Sequence, residues 1–394
     1  MLLFYHEVII LRIFSFLICL LLLTGCAAKD PDPETIFSES TIPITETDPT
    51  ETTIETEPLD LIGDMIAQMS VEERVGQLFL ARCDSAYALD HIQEYHLGGF
   101  VLFGADFRDE TRDTMIQKIQ SYQAAAKLPL LIAVDEEGGT VTRVSSYPAF
   151  RENKFSSIRD LYKGGGLDWV FYEEEQKCQL LSTLGLNVNL GPVCDMTTDP
   201  NAFMYKRSLG QDVFITSDYV SGAVGIMNDY QIGSCLKHFP GYGNNTDTHT
   251  GIAVDRRSLT ELEDMDLLPF AAGIAADCGA VMVSHTIVEC LDAELPASLS
   301  TAVHHYLRQR MGFEGVIMTD DLVMQAITER YGAGEAAVLA VLAGNDLLCS
   351  TDYITQYEAV LTAVLDGRIA MDTLDNAVRN VLEWKQQLGL ILVG

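Results

Sequence analysis

From residue 59 onward, short apolar runs alternate with stretches of helical periodicity. Leu61, Met65, Ile66 and Met69 recur at the spacing of one helix face, and Ser70-Val71-Glu72-Glu73 has the form of a capping box opening a second helix that carries Val75 and Leu78. The apolar runs that follow cover 77–81, 99–103, 130–134, 186–190, 234–236, 280–283, 316–318 and 346–349. Near-continuous apolar strands separated by helices predict a parallel sheet covered on both faces, and eight of them predict a single closed (β/α)8 barrel of the TIM type. An open doubly wound sheet is the alternative. Polar residues decide between them, because they repeatedly follow the runs: Asp135-Glu136-Glu137 after the third, Asp195 after the fourth, Lys237-His238 after the fifth, His285 after the sixth and Asp320-Asp321 after the seventh. Barrel active sites are assembled at that C-terminal face from several strands. A last helix is expected over 374–388, with too little chain beyond it for a second domain.

The N-terminal part has a different pattern. Arg12 precedes an apolar run over 13–23, too short for a comfortable membrane span and ending in small residues, which predicts a signal peptide over 1–25. Leu23-Thr24-Gly25-Cys26 looks like a bacterial lipobox, which implies cleavage before Cys26, a lipid on its thiol and an extracytoplasmic protein anchored to the cell membrane. Residues 26–58 are dominated by Thr, Glu, Asp and Pro, a composition that cannot bury enough apolar surface to offset chain entropy, so they are expected to form a disordered acidic tether to a barrel over 59–394.

Charge narrows the partners. A formal net charge of -32 argues against nucleic acid, which needs a basic footprint. Cys83, Cys178, Cys194, Cys235, Cys278, Cys290 and Cys349 are scattered without zinc or disulfide-framework spacing, and the His and Asp groups show no zinc pattern either, so neither a metal nor another cofactor is expected.

The chemistry concentrates in Lys237-His238-Phe239-Pro240-Gly241-Tyr242-Gly243-Asn244-Asn245-Thr246-Asp247-Thr248-His249, a Pro/Gly-punctuated stretch that leaves the fifth strand. Asp247 and His249 are one residue apart. In an extended loop they point the same way, so the carboxylate can hold one imidazole nitrogen and leave the other to give or take a proton. Gly315-Val316-Ile317-Met318-Thr319-Asp320-Asp321 puts two carboxylates at a strand exit, of which alternation admits one to a pocket without saying which. In Asp135-Glu136-Glu137-Gly138-Gly139-Thr140-Val141-Thr142-Arg143, the glycines allow a tight turn with close backbone approach to a ligand, and Asp135 and Arg143 bring complementary groups to its ends. An ion pair between those two that merely stiffens the loop is the plainer alternative.

The long stretch resembles the signature of family 3 glycoside hydrolases of the bacterial β-N-acetylhexosaminidase branch, in which Lys-His-Phe-Pro-Gly-His-Gly is followed by Asp-Ser-His. Tyr242 and Thr248 depart from it, and the loop is about one residue shorter. The resemblance extends to the Asp135–Arg143 element, to Arg207-Ser208-Leu209-Gly210 and to Thr319-Asp320-Asp321-Leu322. It implies Asp320 as nucleophile, His249 paired to Asp247 as acid/base, and Asp135, Arg143, Arg207, Lys237 and His238 as sugar-binding residues. Asp321 is expected to support the loop. The implied activity is a retaining exo-β-N-acetylglucosaminidase acting on terminal β-GlcNAc of muropeptides or related glycans. A β-glucosidase or β-xylosidase of the same family, and a sugar-binding surface lipoprotein without catalysis, are the alternatives.

Overall fold

The computed structural model describes residues 60–243, 245 and 251–392. The predicted signal peptide, Cys26, the tether, and the pair Asp247 and His249 lie outside the described residues.

All eight apolar runs form strands of one parallel sheet: β1 (Phe79–Arg82), β2 (Gly99–Leu102), β3 (Leu131–Val134), β4 (Val188–Asn189), β5 (Gly233–Phe239), β6 (Ala280–Val283), β7 (Val316–Thr319) and β8 (Leu348–Ser350). Each pairs with its sequence neighbour, β8 pairs with β1, and the ring closes through a parallel bridge between Met318 and Leu347. This is the expected (β/α)8 barrel. Its strands are apolar on both faces because both are covered. Leu80, Val101, Leu131, Ala133, Val188, Cys235, Met282 and Met318 pack inside the barrel, while the alternating Phe79, Ala81, Phe100, Leu102, Ile132 and Val134 pack outward against the helices.

The capping box holds as drawn. Ser70 N donates to Glu73 Oε2 at 2.9 Å and Glu73 N to Ser70 Oγ at 3.2 Å, opening the helix Val71–Gln77. The first strand begins at Phe79 rather than at 77, since Gln77 is the last residue of that helix. The last helix spans Met371–Gln387 and carries Trp384 under the barrel floor, where a side chain on Gly279 would lie 2.0 Å from its Nε1.

A larger difference concerns β5, expected to stop at Leu236. It continues through Lys237 and His238 to Phe239, because β6 keeps pairing with it (Lys237 with Met282, Phe239 with Val283) across a register shift. Regular alternation would send one of two adjacent side chains away from the pocket. At such an irregularity both can face it. Farther along, Val254–Asp255 and Ile287–Val288 form a separate two-stranded parallel sheet beside the exit of β5. Among the described residues no helix is long and apolar enough to cross a membrane.

Candidate active site

The β5 pair occupies the centre of the C-terminal face. Lys237 is buried, and its ammonium lies 2.7 Å from Asp135 Oδ1 and 2.7 Å from Glu137 Oε1. Asp135 and Glu137 leave β3 with their side chains on one side, the i, i+2 relation of an extended chain. Glu136, between them, turns the other way and is fully buried. Its carboxylate accepts from the backbone N of Arg143 at 2.8 Å and of Val144 at 2.7 Å, which brings Arg143 back to the pocket. Arg143 Nη2 then stands 3.6 Å from Asp135 Oδ2.

The glycines form the tight turn expected of them. Gly138 and Gly139 have φ of 104° and 62°, and side chains there would meet Ser156 O at 2.1 Å and Ser157 Cβ at 2.7 Å. Their lack of a side chain makes room for the Ser156–Ser157 segment of the chain.

Arg207 follows a single helical turn, Phe203–Lys206, and grips Glu137 with two parallel bonds, Nε to Oε2 at 2.9 Å and Nη2 to Oε1 at 2.7 Å. The same Nη2 is 3.3 Å from His238 Nε2. A guanidinium only donates, so Nε2 accepts and the ring proton belongs on Nδ1, which meets Asp195 Oδ2 at 2.7 Å. The other Asp195 oxygen accepts from Tyr242 N at 2.7 Å. Tyr242, which stands where the family motif has histidine, is buried with its ring edge-on to His238 at 5.3 Å.

The carboxylates and cations of this cluster are mutually compensated. Burial alone pushes the Glu137 carboxyl up, but the Lys237 ammonium and Arg207 guanidinium more than reverse this and hold it well below the usual carboxylate range. Burial pulls Lys237 down, and Asp135 and Glu137 outweigh it, so the ammonium is held above its ordinary value.

Asp320 caps β7 and is half-buried, its Oδ1 accepting from Asp321 N at 2.8 Å. Asp321 turns instead to the chain after β8. It accepts from Thr351 N at 3.1 Å and Thr351 Oγ1 at 2.5 Å, the loop support expected of it, and ties the β7 and β8 ends together where the sheet pairs least. His285 is a buried core residue bonded to Ser298 Oγ at 2.7 Å and to Asp321 O at 3.1 Å.

Six of the eight side chains singled out for chemistry, Asp135, Arg143, Arg207, Lys237, His238 and Asp320, line one cavity of about 860 Å³, a volume ordinary for a small-molecule site. Glu137 and Asp195 were not among the residues singled out, yet the first joins Lys237 to Arg207 and the second orients His238. Charged donors and acceptors that alternate around a carboxylate suit a ligand rich in hydroxyls. Among the described residues no three His, Cys, Asp or Glu side chains converge as metal ligands.

Comparison with known proteins gives the family and the fold. The description "Glycosyl hydrolase family 3 N terminal domain" matches residues 70–384. A β-hexosaminidase of Xylella fastidiosa is 32% identical over 319 residues, which are 79% of this chain and 92% of the relative. The β-hexosaminidase LpqI of Mycobacterium tuberculosis is 31% identical over 345 residues, 81% of this chain and 84% of its own. Among solved structures, a family 3 β-N-acetylglucosaminidase from Paenibacillus superposes with a TM-score of 0.76 at 30% identity, over 83% of this chain and 64% of that one. LpqI superposes with a TM-score of 0.75 at 28% identity, over 82% and 96%. The protein is thus a hydrolase, and belongs to glycoside hydrolase family 3, among the bacterial β-hexosaminidases.

Proposed function

We propose that the protein is a retaining exo-β-N-acetylglucosaminidase that releases terminal β-GlcNAc from muropeptides or related glycans. The observation that carries this reading is the position of Asp320 in one cavity with Lys237, Arg207, Arg143 and His238. The cationic and imidazole groups bind the hydroxyls of a single terminal sugar and leave its anomeric carbon to the carboxylate. The names of the relatives support the choice of an N-acetylhexosamine.

In the first step an Asp320 oxygen bonds to the anomeric carbon as the bond to the aglycone oxygen breaks, and that oxygen takes a proton from His249. In the second, His249 removes a proton from water, the water oxygen bonds to the anomeric carbon, and the Asp320 carboxylate leaves. An imidazole with an ordinary pKa of about 6.5 serves both steps near neutrality. Asp247 fixes its tautomer and stabilises the imidazolium.

The test is a panel of aryl glycosides with purified enzyme. Aryl β-GlcNAc is the preferred substrate, Asp320→Ala abolishes turnover, and His249→Ala lowers it by about 10²–10⁴-fold. A 2-deoxy-2-fluoro or 5-fluoro sugar leaves a covalent adduct on Asp320. Normal turnover by Asp320→Ala sinks the nucleophile assignment, and a preference for aryl β-glucoside or β-xyloside sinks the substrate. Attachment to the membrane through Cys26 is part of the same proposal, and labelled fatty acid that enters Cys26→Ala as readily as wild type refutes it.

A further inference from the structure

Arg257 lies outside the cavity and has no part in the steps above. It stands just beyond the residues that carry Asp247 and His249, where the chain on both sides of that loop comes together. On the far side, Arg257 makes a fork with Asp255, Nε at 3.0 Å from both oxygens and Nη2 at 2.6 Å from Oδ2. Asp255 belongs to the short sheet with Ile287–Val288, and its carbonyl accepts from Glu289 N at 2.9 Å. On the near side, Nη2 is 3.5 Å from Gly241 O, and a side chain on Gly243 would lie 2.8 Å from the guanidinium carbon. The remaining nitrogen, Nη1, meets Asp266 Oδ2 at 2.5 Å. One planar group therefore touches the segment that enters the loop, the segment that leaves it and the helical stretch behind both.

Two further observations indicate that this is a fitted joint. Asp266 is buried and its Oδ1 has no hydrogen-bond partner among the described residues, while a side chain on Gly241 would come within 2.6 Å of that oxygen. Glycine at 241 and 243, with φ of 116° and 53°, lets the chain lie directly against the ion cluster. Burial pushes the Asp266 carboxyl up to about 6 against the pull of Arg257, so the guanidinium only partly compensates that carboxylate. Loss of such a partner leaves buried charge uncompensated.

We propose that Arg257 is a positioning residue for the acid/base loop: by joining Asp255, Asp266 and the Gly241–Gly243 segment, it sets the separation of the loop's two ends and hence the reach of His249. The inference rests on the acid/base role given to His249 above. Lysine retains the charge but lacks the fork, so it cannot hold Asp255 in a bidentate grip while reaching Gly241 and Asp266.

The experiment compares Arg257→Gln, Arg257→Lys and His249→Ala on aryl β-GlcNAc substrates of graded leaving-group ability, with thermal unfolding and stoichiometry of fluoro-sugar labelling to count folded sites. A phenol leaving group needs the proton and 2,4-dinitrophenol hardly does, so loss of the acid is selective. Arg257→Gln is expected to lose at least about 10-fold more kcat/KM on the phenyl than on the dinitrophenyl substrate, with azide accelerating turnover of the latter. Arg257→Lys falls between it and wild type. Equal loss on both substrates by the sites that still label, or an effect on KM alone, overturns the proposal. If His249→Ala shows the selective loss and the Arg257 variants do not, only the positioning role falls. If His249→Ala lacks it too, the acid/base reading falls with it.

Discussion

Two buried lysines mark the two ends of the barrel and behave in opposite ways. Lys237, at the C-terminal rim, sits between Asp135 and Glu137, and their charges raise its pKa despite burial. Lys385, under the floor, is as fully buried, but its polar partner is the neutral Gln77 Oε1 at 2.7 Å, and burial alone drops its pKa to about 7. Burial costs both ammonium groups their hydration. Among the described residues the rim supplies counter-charge to its lysine through Asp135 and Glu137, whereas the floor supplies only the Gln77 amide. The most direct way to break this comparison is to remove the rim ammonium. Lys237→Met leaves Asp135 with Arg143 at 3.6 Å as its nearest cation and Glu137 with Arg207 alone. The expected cost is on the order of 3 kcal/mol from the two charge-assisted hydrogen bonds lost at Asp135 and Glu137, together with at least about 100-fold lower kcat/KM. Hydrolysis of an aryl β-GlcNAc and thermal unfolding measure the two. Unchanged unfolding would show that the rim charges do not depend on one another.

The same contrast separates what the sequence made legible from what it did not. The eight strands could be read because the strands of a doubly covered sheet are apolar throughout. The end of β5 could not, because Lys237 and His238 interrupt that apolar run while remaining paired to β6. Glu137 left a usable signal, since it lies two residues from Asp135 and alternation puts both on one side. Its partners, Lys237 and Arg207, are fixed by the fold and not by local spacing. The hold of Asp195 on His238 likewise crosses from the end of β4 to β5. In the last helix, Lys385 falls on the buried face with Leu374, Val378, Val381 and Leu382 by helical period alone. That no carboxylate would meet it there is a fact of packing.

Lys385 permits a change of opposite sign. Its folded pKa, about 7, lies below the ordinary 10.5, so between those values the unfolded chain binds more protons and stability rises with pH. Below about 7 both states are protonated and the whole penalty stands. At about 1.36 kcal/mol per pH unit, the gap is on the order of 5 kcal/mol. Lys385→Met removes it but leaves Gln77 Oε1 without its partner, at about 1–2 kcal/mol. A net gain on the order of 3–4 kcal/mol is therefore expected near pH 6, disappearing as pH rises toward 10.5, with glycosidase activity unchanged. Unfolding curves of variant and wild type at several pH values measure the difference. For Lys237 the sign reverses: its raised pKa means that its stabilising contribution is present below 10.5 and is lost as pH climbs through the folded value. A Lys385→Met effect independent of pH would show that the floor lysine is not the desolvated charge its surroundings make it.

The smallest expected effect tests whether the floor can be altered without disturbing the rim. Ser70 caps the helix Val71–Gln77, which leads into β1 and ends at the very residue that bonds Lys385. Ser70→Ala removes the Oγ that accepts from Glu73 N, while the return bond from Ser70 N to Glu73 survives because it uses the backbone. The helix start is exposed, so water replaces part of what is lost, and the cost is about 1 kcal/mol. Because Val75 and Gln77 remain packed beneath the barrel, the frayed first turn has no path to Asp320 or Lys237 except through unfolding of the floor itself. Denaturant midpoints should therefore fall slightly while kcat and KM stay at wild-type values. A change in KM at full folding would mean that the two ends of the barrel are coupled more tightly than the separate fates of their lysines imply.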